Sequence, residues 1–224
     1  LALLFLIAVI GFTIVFTIGT PIIDASKQQA TFQDAEGAAK LIDNAIKGVV
    51  AEGKGSVRIL EFVSPEFLSI PEEDALEFRM TSNTELLEHL SRRFAGNLLY
   101  LSGSDVACSE NQQNMTVENS YVSAVFQKTV KTSPYSNIDT AKNILSVKEK
   151  SSGTVISIVN SSVVIDDNQS SASGNGYSEL LRSGVSLPVC TAHFFINSTS
   201  SDYDIYYTLY SGADFFVVDV KNVK

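Results

Sequence analysis

The first 23 residues, LALLFLIAVIGFTIVFTIGTPII, contain no charge, and the first ionisable side chain is Asp24. Thirteen of the first 20 are Leu, Ile, Phe or Val. At about 0.3–0.6 kcal/mol each on a membrane-insertion scale, they favour a bilayer by several kcal/mol. As a helix the stretch spans about 34 Å, enough to cross a hydrocarbon core about 30 Å thick. It lacks the basic n-region, short apolar core and A-x-A site of a secretory signal. The expectation is a membrane-competent helix. Leu1 in place of Met is what removal of an upstream piece would leave, and that piece would carry the basic residues that orient the helix.

From Asp24 to Glu52 there is no proline, and Phe32, Ala35, Ala39, Ile42, Ile46 and Val49 recur at spacings of three and four. That period puts them on one helix face, with Gln33, Asp34, Lys40, Asp43 and Lys47 on the other. Together the two stretches predict a helix of about 50 residues, some 75 Å long if continuous. Pro21 has no amide to donate to Thr17, so a bend or local unwinding is expected over residues 17–21, eased by Gly19.

After Gly53 the pattern changes to alternation. SVRILEFVS (56–64) and DALEFRMT (74–81), separated by PEED, predict a hairpin. Ser82 and Glu85 form a capping box that predicts a short helix over 83–94, stopped at Gly96. Beyond it come short Val-, Ile-, Tyr- and Phe-rich segments: 97–103, 116–130, 143–149, 153–160, 161–167, 185–197, 203–210 and 213–223. They predict about ten strands, with a Ser/Asn/Gly surface loop over 166–178. The fold class is therefore α+β: a long hydrophobic N-terminal helix (1–53, apolar over 1–23 and amphipathic over 24–53), then an antiparallel, jelly-roll-like β-sandwich over 54–224.

The charge of −9 argues against nucleic acid, which needs clustered Lys and Arg. His89 and His193 are the only histidines, and no HExxH, GxSxG, phosphate-binding loop or dinucleotide fingerprint occurs. The reading is of a protein that is no enzyme and carries no cofactor or metal. Asp166-Asp167 reads as a solvated turn without the ligand spacing of a calcium loop. Cys108 and Cys190 either bridge, closing a loop of about 80 residues, or remain two buried thiols; spacing does not decide. Four N-x-S/T sequons, at Asn114, Asn160, Asn168 and Asn197, fall at turns or strand edges and suit an exposed, glycosylated surface.

An uncharged start of about 20 residues, a proline near its end, an amphipathic continuation and a β body resemble the type IV pilin superfamily. Phe5 stands where the bacterial members carry Glu, so the chain looks more like the archaeal pilins and archaellins. The likeness is one of layout over residues 1–50 and of architecture beyond. It implies a precursor cut by a prepilin peptidase before Leu1, a subunit held in the membrane, and extraction by an ATP-driven assembly platform. The product would be a homopolymer at the cell surface, its core built from Leu1, Leu4, Phe5, Ala8, Gly11, Phe12, Val15 and Ile18, with a bend at Gly19 and Pro21. Small residues (Ala2, Ala8, Gly11, Gly19) would let the helices approach closely. The resemblance leaves adhesion and swimming both open. The competing readings are an anchored minor pilin-like protein presenting a ligand- or sugar-binding sandwich and, lacking any catalytic constellation, an anchored hydrolase.

Overall fold

The computed structural model describes residues 2–61, 67–71, 75–82, 86–156, 158 and 161–224; of the helix's first residues, side chains 2–4 and 6–8 are not described. In chain order it has α1 (Ala2–Ile14), a π-helical turn (Val15–Gly19) and α2 (Thr20–Glu52), followed by strands. These are β1 (Leu68–Ile70), β2 (Ala75–Glu77), β3 (Arg92–Ala95), β4 (Leu98–Leu101), β5 (Val106–Glu110), β6 (Asn114–Glu118), β7 (Val122–Gln127) and β8 (Ser136–Asp139). Then come β9 (Ile144–Glu149), β10 (Val155–Ile156), β11 (Ser173–Leu180), β12 (Gly184–Leu187), β13 (Val189–Ser198), β14 (Asp202–Tyr210) and β15 (Val217–Lys221). The chain divides into two compact units, residues 1–87 with 94–99, and residues 88–93 with 100–224.

In the first unit the helix runs unbroken in secondary structure from Ala2 to Glu52. Its amphipathic part buries Ala35 and Ala38 and half-buries Gln28, Phe32, Ala39, Ile42, Ala45 and Val49 on one face, the face that the three-and-four spacing marks out. Ile46, expected there too, is exposed. Gly53, with φ +87°, ends the helix and donates its amide to the Val49 carbonyl. The chain then returns to the helix twice: Ser82 Oγ donates to Gln28 Oε1 (2.6 Å) and Asn97 Nδ2 to Asp43 Oδ1 (2.7 Å).

Two expectations for this region are corrected. The hairpin lies later than alternation suggested: β1 pairs with β2 through Ser69 opposite Leu76, while residues 56–61 carry no strand and 62–66 lie outside the described residues. Residues 86–91 form turns and 92–95 a strand, so no helix exists over the described part of 83–94. The capping serine is spent on Gln28, and Gly96, with φ +63°, makes with Asn97 the two-residue turn of the β3–β4 hairpin.

The second unit is a sandwich of two antiparallel sheets, ordered β10-β9-β7-β6-β5-β12 and β15-β14-β13-β11-β8. Strand alternation fills the space between them. Val106, Met115, Val117, Ala124 and Phe126 come from the first sheet, and Ala192, Phe194, Ile196, Tyr203, Ile205, Tyr207 and Leu209 from the second. Phe126 is the hub, with ring centroids 5.1 Å from Tyr207, 5.8 Å from Phe216 and 6.2 Å from Phe194. Cys108 of β5 and Cys190 of β13 form a disulfide between the sheets, Cα atoms 6.3 Å apart. Pro188, between β12 and β13, marks where the 185–197 segment leaves one sheet for the other.

One end of the sandwich is clasped by two polar side chains. Asp105 accepts from Ser211 Oγ (2.7 Å), the Gly212 amide (3.1 Å) and the Ser120 amide (3.1 Å). Burial pushes its carboxyl up, but these bonds outweigh it and hold the group below its usual 3.8. Buried Asn119 donates to the Tyr210 and Ala213 carbonyls and accepts from the amides of Tyr121 and Val122.

The loop expected over 166–178 is in part a strand, since β11 begins at Ser173 and lies between β13 and β8. Its inward positions are Gly174, Gly176 and Ser178, too small to give a hydrophobic alternation. A Cβ on Gly176 would stand 1.9 Å from the Phe195 carbonyl oxygen, and one on Gly174 2.3 Å from that of Asn197. Conversely, 161–167 contains no strand among its described residues. Asp166 and Asp167, at φ 49° and 57°, make a tight turn closed by the Asn168 amide on the Ile165 carbonyl.

Candidate functional site

The surface that most demands a function is the apolar start of the helix. Every residue from Val9 to Asp24 except Gly19 is exposed, Gly19 being partly covered, and within the described residues nothing buries Phe5 (72% exposed), Phe12 (67%), Val15 (65%), Phe16 (68%) or Ile18 (59%). A Cβ on Gly11 would touch nothing within 4 Å. Val9, Phe12, Thr13, Phe16 and Thr17 form one stripe at three-and-four spacing, the rings of Phe12 and Phe16 6.4 Å apart. Leu1 lies outside the described residues, as do the side chains of Leu4 and Ala8.

Three hydroxyls in and just after this segment bond within their own helix. Thr13 Oγ1 donates to the Val9 carbonyl (2.8 Å), Thr17 Oγ1 to that of Thr13, and Ser26 Oγ to that of Ile22 (2.9 Å). Hydroxyls paired this way cost little in hydrocarbon or in a protein interior. The π-helical turn over Val15–Gly19 ends one residue short of Pro21, whose ring nitrogen has no proton for the Thr17 carbonyl. The chain accommodates the proline by widening one turn, and Thr20 keeps helical angles of −60° and −49°. Among the described residues one helix, Val9–Glu52, is long and apolar enough to cross a membrane.

On the body, the residues with chemistry gather on the outer face of the second sheet. The register sets Glu179, His193 and Tyr206 side by side across β11, β13 and β14. His193 Nε2 lies 2.8 Å from Asp204 Oδ1 and Nδ1 3.3 Å from Glu179 Oε1, its ring stacked on Tyr206 at 4.7 Å. Lys131 Nζ donates to both Glu179 oxygens (3.0 and 2.9 Å) and sits 4.5 Å from the Tyr177 ring centre. The Glu179 hydrogen bonds hold the Lys131 ammonium above its usual range, and burial pushes the Tyr177 phenol up. With both imidazole nitrogens facing protein carboxylates, His193 has no free nitrogen to offer a substrate; it braces three strands. Sequence reading missed this cluster because only strand register brings its members together.

The sequons are scattered. Asn114 opens β6 half-buried, Asn168 is exposed and caps a 3-10 turn, Asn197 is exposed near the end of β13, and Asn160 lies outside the described residues. No group of His, Cys, Asp or Glu among the described residues is arranged to hold a metal ion.

No protein-family model, curated protein or solved structure matches this chain.

Proposed function

We propose that this protein is the structural subunit of a pilus-like filament of the archaeal type IV kind. Its apolar helices bundle as the core, and its acidic sandwiches coat the outside. The observation that carries the reading is an exposed helix, uncharged up to Asp24, that the rest of the described chain leaves uncovered. A helix apolar all round belongs in lipid or inside other protein. Each Phe, Ile or Val covered by a neighbouring copy contributes about 1.5–3 kcal/mol relative to water. Against lipid the gain comes from close packing, which Gly11 and Gly19 permit. Repeated contacts between two different patches of one subunit do not close and so grow a helical filament. Before assembly the same helix anchors the subunit in the membrane, and assembly needs a platform that draws it out. The exposed bodies would then meet surfaces, so adhesion fits better than propulsion.

Shearing cells that express the chain tests this. Negative-stain microscopy should show fibres whose subunit, identified by mass spectrometry, is this protein. Monomers recovered only by detergent, with no fibres in the sheared fraction of cells carrying the assembly machinery, would favour an anchored surface protein instead.

A further inference from the structure

The outer face of the second sheet carries three aromatic rings in contact, and beside them a row of amides that ends in a sequon. Tyr177 lies 5.5 Å from both Tyr135 and Phe195, and Tyr135 6.3 Å from Phe195. Phe195 and Asn197 are two residues apart on β13, so they share a face about 6.6 Å apart. The register places Asn197 opposite Asn175, and Asn175 opposite Asn137, all three exposed. Phe195-Ile196-Asn197-Ser198-Thr199 thus presents a ring, then an acceptor amide, then the hydroxyl residue of the sequon in the exposed turn after it.

We propose that Asn197 is the favoured N-glycosylation site among the described sequons of this chain, and that its first sugar lies back across Phe195 and the two tyrosines. Among the described residues no side-chain hydrogen bond engages the Asn197 amide. At Asn168, by contrast, the side-chain oxygen already accepts from Ser170, and Asn114 is half-buried. A pyranose has one face of C–H groups, which matches the face of an aromatic ring, and rim hydroxyls that the amides of Asn175 and Asn137 can meet. The attachment is a group transfer from a lipid-phosphate-linked sugar. Nδ2 forms a bond to the anomeric carbon and gives its proton to a base of the transferase. The carbon–oxygen bond to phosphate breaks, and the lipid phosphate leaves with the electron pair. The inference rests on the reading of the body as exposed outside the cell.

The test is glycopeptide mass spectrometry on full-length protein from its native host, with thermal unfolding of the same preparations. Asn197 should carry a higher occupancy than Asn114 or Asn168, and Asn197→Gln and Thr199→Ala should each abolish it. Each should lower Tm by about 2–4 °C, and that loss should vanish in a Phe195→Ala background. Should Phe195→Ala itself prevent folding, Tyr135→Ala, at the exposed rim, takes its place with the same expected result. An unmodified Asn197 overturns the site. A Tm loss that persists without the ring overturns the seat. Fibres assembled from unmodified subunits would sink this inference alone, whereas a modified Asn197 on subunits that never form fibres would sink only the filament reading.

Discussion

Replacing both Cys108 and Cys190 by Ala removes the one covalent tie between the sheets, across a separation of 82 residues. In the chain-entropy model, closing a loop of that length withholds about 15 cal/mol/K from the unfolded chain, or about 4.5 kcal/mol at 25 °C. Domains are commonly stable by about 5–15 kcal/mol, so the bridge would supply between a third and nearly all of the margin. For a body of this size each kcal/mol moves Tm by about 2–4 °C, which gives an expected fall of about 9–18 °C. Urea unfolding of the detergent-solubilised protein should show a lower midpoint and a steeper slope, because the unlinked chain exposes more surface. Reducing the wild-type protein should reproduce the shift while leaving both sulfur atoms in place, which separates the tie from the packing of the thiols. A midpoint unchanged by either treatment would refute the reasoning and mean that the sheets hold together by their core alone.

Three further outcomes follow from the fold. Gly176→Ala puts a Cβ 1.9 Å from the Phe195 carbonyl and must push β11 off β13, so the protein should misfold or lose well over 3 kcal/mol by thermal unfolding. Gly37→Ala in α2, where a Cβ meets nothing within 4 Å, should be neutral or stabilise by up to about 1 kcal/mol in the same assay, and any loss would speak against the helix. Asp105 sits below its ordinary value when folded, so its contribution is complete above about pH 4 and fades as pH falls through the folded value. Urea midpoints taken from pH 6 to pH 2 should therefore fall less steeply for Asp105→Asn than for wild type, from a lower starting point; parallel curves would remove Asp105 from the clasp.

How far the sequence disclosed this structure depended on whether side-chain pattern or neighbouring backbone decided each element. The helix was legible because 23 uncharged residues and then a three-and-four apolar stripe permit little else, and β13 and β14 because their alternation is strong. Strand β11 was hidden: the partners' backbone comes so close that glycine must replace the side chains that would have signalled a strand. At 92–97 a local capping signal competed with a Gly-Asn hairpin turn, and the turn won because Ser82 finds a partner on the helix. The disulfide and the His193 brace depend on residues brought together from 82, 14 and 11 positions apart, information that spacing alone does not hold. The aromatic seat at Phe195 was half legible, as a sequon without its floor.

The apolar helix is proposed to serve as the core of a fibre. Ile10 is half exposed within the apolar stretch, and replacing it with Asp would place a charge where neighbouring helices would meet in the proposed fibre, costing about 2.5–3.5 kcal/mol in a hydrocarbon setting at every subunit. Electron microscopy of sheared material from cells expressing wild-type or Ile10→Asp protein, with the Cys108–Cys190 bridge confirmed in both as proof of a folded body, compares the two directly. Fibres from the wild type and none from the variant are the expected result. Fibres of equal number and length from both would contradict the account.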